Sequence, residues 1–292
     1  MILISTTTYR GYFQAFMHQI SSKECRSLIY TYLYIIKMRV LVNLAYRFEV
    51  YFSIITNVIL LVASIFLWKS AYAGNVADVS GLGLQEMITY TIISFLLTAL
   101  FSCNVQDTIY SKVRQGTVAT DLYRPISLLG SYLADDLGNA ISSLVNKALP
   151  LFIIASLLFD PPMPDSTLSF ILFLPSSLLS YAILWLLSAL VGLIAFWVME
   201  LGNLGIVKDA IIKILSGSIV PLWFFPDWMQ RISAFLPFQY TFQTPIGIYI
   251  GFINPQDAFI AMLVQLVWVV VLLVILHFFW KVTKTKTLIQ GG

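Results

Sequence analysis

Residues 107–136 read DTIYSKVRQGTVATDLYRPISLLGSYLADD and lie between two long apolar runs. Two features of this stretch have physical causes. Gly116 can adopt the left-handed conformation that stops a helix, and Thr117 can then cap a new one. The spacing predicts a second helix over Val118–Tyr123, ended by Pro125, which disfavours helical geometry at Arg124. The product is a stub of roughly 10 Å at ~1.5 Å per residue, held at a membrane face. A short helix that fills a partner's groove can transmit a rigid-body push, which a loose loop cannot. The same letters also fit an ordinary interhelical loop lying on headgroups.

Working outward, the chain is 59% hydrophobic and 15% aromatic, with 11% charged residues. Soluble domains carry about 25% charge, so the composition implies a membrane-embedded chain. The net charge of +3 gives no basis for nucleic-acid binding. Of the two cysteines, Cys25 lies near the amino end and Cys103 inside an apolar run. That placement argues against a disulfide framework and makes Cys103 a small apolar residue. The first residues lack the basic segment, apolar run and small-residue site of a signal peptide.

The expected fold is an all-α integral membrane protein with six transmembrane helices. Three parts are expected: an interfacial amino segment (1–49), a six-span domain (50–280) and a tail (281–292). In the amino segment the run from Ser27 to Ile36 is too short to span. Arg39, Asn43 and Arg47 recur every four residues, so they share a helix face that is expected to turn toward headgroups. Expected spans are Val50–Trp68, Met87–Gln106, Leu137–Phe159, a stretch within Ser166–Met199, one starting near Val207, and Ala258–Trp280. The fifth is interrupted around Gly217 and Pro221. From Ser216 to Gln256 the sequence is apolar yet broken by Pro221, Pro226, Pro237 and Pro245. This pattern predicts short helices that dip into the outer leaflet and return, a re-entrant segment that could close an outer gate. Pro221, Phe224, Phe225 and Trp228 are its candidate residues; an aromatic belt on an external loop is the alternative.

The positive residues set the orientation. Arg10, Lys23, Arg26, Lys37, Arg39 and Arg47 precede the first span; Lys112, Arg114 and Arg124 lie in the 107–136 loop; Lys208 follows the fourth span; and Lys281, Lys284 and Lys286 end the chain. Only Lys69 and Arg231 fall in loops on the opposite side. Both termini and the 107–136 loop are therefore expected in the cytoplasm.

Chemistry-bearing motifs are few. No glycine is followed by lysine, so the G-x-x-x-x-G-K-[ST] phosphate loop is absent. His18 and His277 form no H-E-x-x-H pattern, and no Cys/His cluster has zinc spacing. No catalytic residue and no metal site are expected, and the chain is not read as an enzyme. Lys147 lies about ten residues beyond Leu137, near mid-bilayer at ~1.5 Å per residue. It could line a translocation pathway and bias it toward anionic or polar groups, or pair with polar groups of a neighbouring span. Lys213 follows Asp209 by four residues and is expected to pair with it on a helix surface.

Gly116-Thr117, Leu122 and Pro125 match the G-T-(x4)-L-x-x-P signature around the coupling helix of type 2 ATP-binding-cassette (ABC) exporters, whose membrane subunit this chain resembles. Gln115 stands where the family often has Glu. Asp121–Ile126, Phe196-Trp197, Phe224–Trp228, Leu236–Tyr240 and the terminal Gln290-Gly291-Gly292 resemble pieces of a bacterial subgroup with an amphipathic amino segment. The resemblance implies an export permease in the bacterial cytoplasmic membrane, coupled through residues 109–125 to a cytosolic ABC ATPase. Arg114, Gly116, Thr117, Asp121, Leu122, Arg124 and Pro125 would form that contact. The pore would be completed by a second permease, as a homodimer or heterodimer. This chain would bind no cofactor, and ATP and Mg would sit on the ATPase partner. A lipid-modifying membrane enzyme, or a passive channel or sensor on the same scaffold, is the alternative.

Overall fold

The computed structural model describes residues 28–45, 47–73, 81–123, 126–160, 162–198 and 204–290. Residues 1–27, Arg124, Pro125, Gly291 and Gly292 fall outside this set, so the expectations placed on them are not addressed. Every regular element among the described residues is helical.

The chain opens with α1 (Leu28–Ala45) and α2 (Arg47–Ala73). Helix α3 (Leu84–Leu100) breaks at residues 101–104, and α4 (Val105–Arg114) follows. The stub α5 (Val118–Leu122) leads to α6 (Leu128–Ser143), which runs through a π turn (Leu144–Ala148) into α7 (Leu149–Leu158). Helix α8 (Thr167–Leu193) comes next, then the short α9 (Leu204–Leu215). A 3-10 turn (Leu222–Phe224), α10 (Asp227–Ala234) and α11 (Gln243–Tyr249) precede the last helix, α12 (Pro255–Gln290).

Among the described residues, six helical runs are long and apolar enough to cross a membrane: Leu28–Ala45, Phe48–Ala73, Leu84–Arg114, Leu128–Leu158, Thr167–Phe196 and Pro255–Thr283. The number matches the expectation, but its membership differs. Helix α9 has 12 residues, about 18 Å at ~1.5 Å per residue, against an apolar core of about 30 Å. Helix α1 enters the set by length and composition, although the apolar run between Arg26 and Lys37 was expected to be too short.

The reason lies in how α1 packs. Arg39 Nε approaches Asp135 Oδ2 on α6 at 3.7 Å, and Asn43 Nδ2 donates to Asn139 Oδ1 at 2.9 Å. Gly130 and Gly138 of α6 leave room for this contact. A Cβ at Gly138 would lie 2.7 Å from the Ile36 carbonyl, and one at Gly130 would lie 2.9 Å from the Tyr32 hydroxyl. The polar face therefore meets protein, and Leu33, Tyr34, Met38, Leu41 and Val42 are left outward. The expected orientation, with the Arg39–Asn43 face toward headgroups, is corrected: small residues on α6 admit the polar face, and burial of the polar groups in pairs favours that arrangement.

Helix α8 is the hub, packing against α4, α11 and α12. Its small residues let neighbours approach closely, as where a Cβ at Gly192 would lie 3.0 Å from Gln106 Cα on α4. The side chain of Gln265 is fully paired inside this bundle. Gln265 of α12 accepts from Ser176 Oγ at 3.0 Å, and its amide donates to Ser180 Oγ at 3.0 Å and the Tyr240 carbonyl at 2.8 Å. In a medium without water, such bonds hold the helices in register as well as adding stability.

Candidate functional site: the α4–α5 hairpin, the α3–α4 break and a polar cleft

At one end of the bundle, α4 and α5 form a tight hairpin about Gly116, whose φ is +69°. Gly116 N donates to the Val113 carbonyl at 3.1 Å, closing the turn. Thr117 stands at the N-cap of α5 but is itself helical (φ −72°, ψ −11°), and its hydroxyl makes no cap bond. The expected side-chain cap is corrected: the Thr117 carbonyl takes the turn instead, accepting from Thr120 Oγ1 at 2.6 Å and Thr120 N at 3.2 Å. The stub ends at Leu122, one residue short of the expected Tyr123.

Asp121 is 7% exposed and points inward. Its carboxylate accepts from Lys112 Nζ of α4 and, at 3.5 Å, from the Tyr132 hydroxyl of α6. The Lys112 ammonium also lies 4.8 Å from the Tyr132 ring centroid. Val118 is buried with Val105, Ile109, Leu128 and Tyr132, and Leu122 packs against the same cluster. Asp121 and Leu122 are thus internal fasteners of the hairpin. Arg114, Gly116 and Thr117 face outward, together with Gln115 and Thr120. Tyr123 projects furthest, at 90% exposure. Nothing in its sequence position marked it, because an aromatic before Arg-Pro also suits a buried anchor.

A second feature, not anticipated from the sequence, lies behind the hairpin. The break between α3 and α4 leaves backbone groups without helical partners, and α6 supplies them. Asp136, 2% exposed, accepts from Asn104 N at 2.9 Å and from Trp185 Nε1 of α8 at 3.0 Å. A carboxylate at this position also faces the positive end of the α4 dipole. Asn139 donates to the Ser102 carbonyl at 3.2 Å and to Ser102 Oγ at 3.1 Å. Because Asn139 also accepts from Asn43, α1 is tied to the same break. Cys103 sits in the break as a half-buried free thiol. The adjacent acids Asp135 and Asp136, directly before the span expected from Leu137, were the available signal.

Between α2, α3, α8 and α9 lies a cleft of about 520 Å³. Its polar groups include Ser64 of α2, Thr91, Ser94 and Thr98 of α3, and Lys208, Asp209 and Lys213 of α9. Lys208 Nζ donates to Ser188 Oγ at 3.0 Å and pairs with Asp209 Oδ1 at 3.0 Å. The expected Asp209–Lys213 pair is corrected, since adjacent Lys208 takes the carboxylate and Lys213 is left toward the cleft. Lys147 is half-buried in the π turn and is not among the residues that line this cleft.

At the far end of α9 the chain leaves helical geometry at Ser216. Gly217 has φ +79°. The exposed backbone is met from outside: Tyr90 Oη donates to the Gly217 carbonyl at 2.6 Å, Ser94 Oγ to the Ser218 carbonyl at 2.5 Å, and Gln243 N to the Ser216 carbonyl at 3.0 Å. Gln243 Oε1 accepts from Leu222 N at 2.8 Å. Of the candidate gate residues, Pro221 is buried here and Phe224 packs on Trp68, with ring centroids 5.2 Å apart. Phe225 is half-buried, whereas Trp228 lies on the outer face of α10 at 64% exposure.

Comparison with known proteins adds one finding. No curated protein and no solved structure matches the chain. Residues 28–291 match the model described as "ABC-2 family transporter protein", a range that takes in α1, the hairpin, the cleft and the outer break together. The chain is therefore a multi-pass, all-α membrane permease that belongs to the ABC-2 transporter family.

Proposed function

We propose that this chain is the permease subunit of an ATP-driven exporter, worked by a separate cytosolic ABC ATPase through the 109–125 hairpin. The observation that supports this is the stiffness of the hairpin. Asp121, Lys112 and Tyr132 lock α5 to both α4 and α6, so a push on the exposed tip must move the helices themselves. Arg114, Gly116, Thr117, Thr120 and Tyr123 form the contact, and Asp121 and Leu122 hold its shape. Arg124 and Pro125 belong to the contact on their motif alone.

The orientation follows the positive residues: both termini and the hairpin are cytoplasmic, in a bacterial cytoplasmic membrane. Helix α1 lies at the inner interface with its apolar face in lipid, and α9 with the broken segment after it carries the chain to the outer side, so that the last helix returns it to the cytoplasm. A second permease, identical or similar, completes the pathway, and residues 216–256 form a re-entrant outer segment in which Pro221, Phe224, Phe225 and Trp228 serve as the gate. ATP and Mg stay on the ATPase. The cleft of α2, α3 and α9 is one half of the route. Its position beside the outer break favours it over Lys147, which now reads as a polar neighbour of the π turn.

The test is purification of the full-length protein in mild detergent with whatever ATPase accompanies it. A Tyr123→Cys variant should cross-link to that ATPase, and a variant with cysteine at Trp228 should not. Absence of any accompanying ATPase, or cross-linking from position 228 alone, would overturn the reading.

A further inference from the structure

The cleft carries information about what it accepts, and this step rests on its being part of the transport route. The hydroxyls that α3 turns to it are committed to backbone. Thr91 Oγ1 donates to the Met87 carbonyl at 2.8 Å, Thr98 Oγ1 to the Ser94 carbonyl at 2.8 Å, and Ser94 Oγ to the Ser218 carbonyl at 2.5 Å. Lys208 is held by Ser188 and Asp209. Asp209 is the one acid of the lining, and Lys208 balances its charge. Lys213 forms no ion pair among the described residues and borders the cleft on an exposed face of α9. Beside it, Leu60 and Ile219 present exposed apolar surface, and Phe95 continues that wall.

We infer that Lys213 is the charge-reading residue of the cleft and that the ligand is an acidic amphipath, a molecule with one anionic head and an apolar tail. The head meets the Lys213 ammonium, the only uncommitted cation among the described residues of the lining, and the tail lies along Leu60, Phe95 and Ile219. A volume of about 520 Å³ suits a ligand with a single chain, since small-molecule sites run from about 300 to about 1,000 Å³. A lysine also tolerates varied head groups, because it acts as a point charge without a fixed fork geometry.

The probe is 11-(dansylamino)undecanoic acid, compared with its neutral methyl ester, titrated into the full-length protein in phosphatidylcholine nanodiscs without nucleotide. The acid-to-ester affinity ratio corrects for bilayer partition when it is compared between variants. Lys213→Met should lower that ratio about tenfold, a modest share of what one nearby charge can supply in a partly polar site. Lys213→Arg should keep the ratio, which shows that the methionine variant lost charge rather than fold. Lys147→Met should also keep it. Repeating the titration with phosphatidylglycerol in the disc identifies the source of the acid. Competition marks a bilayer lipid, and its absence marks a cargo drawn from elsewhere; either agrees with the inference. A ratio unchanged by Lys213→Met, lowered equally by Lys147→Met, or lowered by Lys213→Arg as well, would overturn it. Since no nucleotide is present, such a result would leave ATPase coupling standing. Failure of the Tyr123 cross-link would leave the charge preference standing.

Discussion

Two glycines with positive φ interrupt this protein at opposite ends of the bundle, and they are stabilised in opposite ways. At Gly116 the turn is open. A Cβ there would meet nothing within 4 Å, and the stiffness comes from the side chains of Lys112 and Asp121 on either side of the turn, with Tyr132 of α6. At Gly217 the turn is enclosed. A Cβ there would lie 2.9 Å from both Tyr90 Oη and Gln243 Oε1, the very atoms that satisfy the surrounding backbone. One interruption is therefore left open, whereas the other is sealed into the protein as non-helical backbone at membrane depth must be. The same residue type with nearly the same φ marks an open turn in one place and a packed joint in the other. Burial of the neighbours separates the two, not the glycine.

The comparison is tested most severely at Gly217. Gly217→Ala should combine left-handed strain with displacement of the Tyr90 and Gln243 hydrogen bonds. Together these amount to roughly 3 kcal/mol, from ~1–2 for strain and ~1–3 for groups left unpaired. Thermal unfolding in detergent measures this, and a midpoint unchanged from that of the parent would refute the sealed-joint description. Asp136→Ala should come next. It strips Asn104 N and Trp185 Nε1 of their acceptor and should cost about 2 kcal/mol, in the range for buried hydrogen bonds to a charged group. Asp136→Asn keeps an acceptor and should recover part of the loss. If the two variants behave alike, the carboxylate is not what holds the α3–α4 break.

These ends differed in how readable they were. The hairpin was legible because Gly, Thr and Pro act locally: Gly116 set the turn by its own φ, and the run from Val118 set the stub. The interruption near Gly217 and Pro221 was legible for the same reason, but its meaning was not. The atoms that complete it, on Tyr90, Ser94 and Gln243, are far away in the chain, and no local pattern announces them. The same limit explains the α1 result. Counting apolar residues gave a run too short to span, because Arg26 and Lys37 bound Ser27–Ile36, and Arg39 and Asn43 were expected to meet headgroups. Their partners Asp135 and Asn139, with Gly138 between them in space, exist only once α6 is beside α1. Lys213 borders the cleft and Lys147 does not, for a related reason. Depth along a helix can be read from sequence, whereas the direction in which a side chain faces depends on which helices become neighbours.

At the hairpin, Asp121→Ala should separate stability from coupling. The ion pair it removes is partly exposed on the Lys112 side, so its worth to stability is about 1 kcal/mol at most. Its worth to force transmission is larger, because α5 would then swing on the Gly116 turn. The expected outcome is a nearly normal thermal midpoint with a clear loss of ATPase stimulation in the copurified complex. If stimulation survives while the midpoint falls sharply, Asp121 is a folding residue and the hairpin is not a lever.

The smallest effect belongs to Gly116 itself. With open space around its Cβ position, Gly116→Ala adds no clash, and only the strain of left-handed backbone remains, about 1 kcal/mol. Gly116→Asn should cost less still, because asparagine tolerates that conformation. Both variants should therefore unfold close to the parent, in contrast to Gly217→Ala. Any larger defect in Gly116→Ala should show only when the ATPase is bound, as weaker association of the copurified complex. A partner that packs against the turn meets a methyl group where there had been bare backbone. If the isolated protein is destabilised by Gly116→Ala as much as by Gly217→Ala, the turn is not open. The distinction between an offered interruption and a sealed one would then fail at its simplest point.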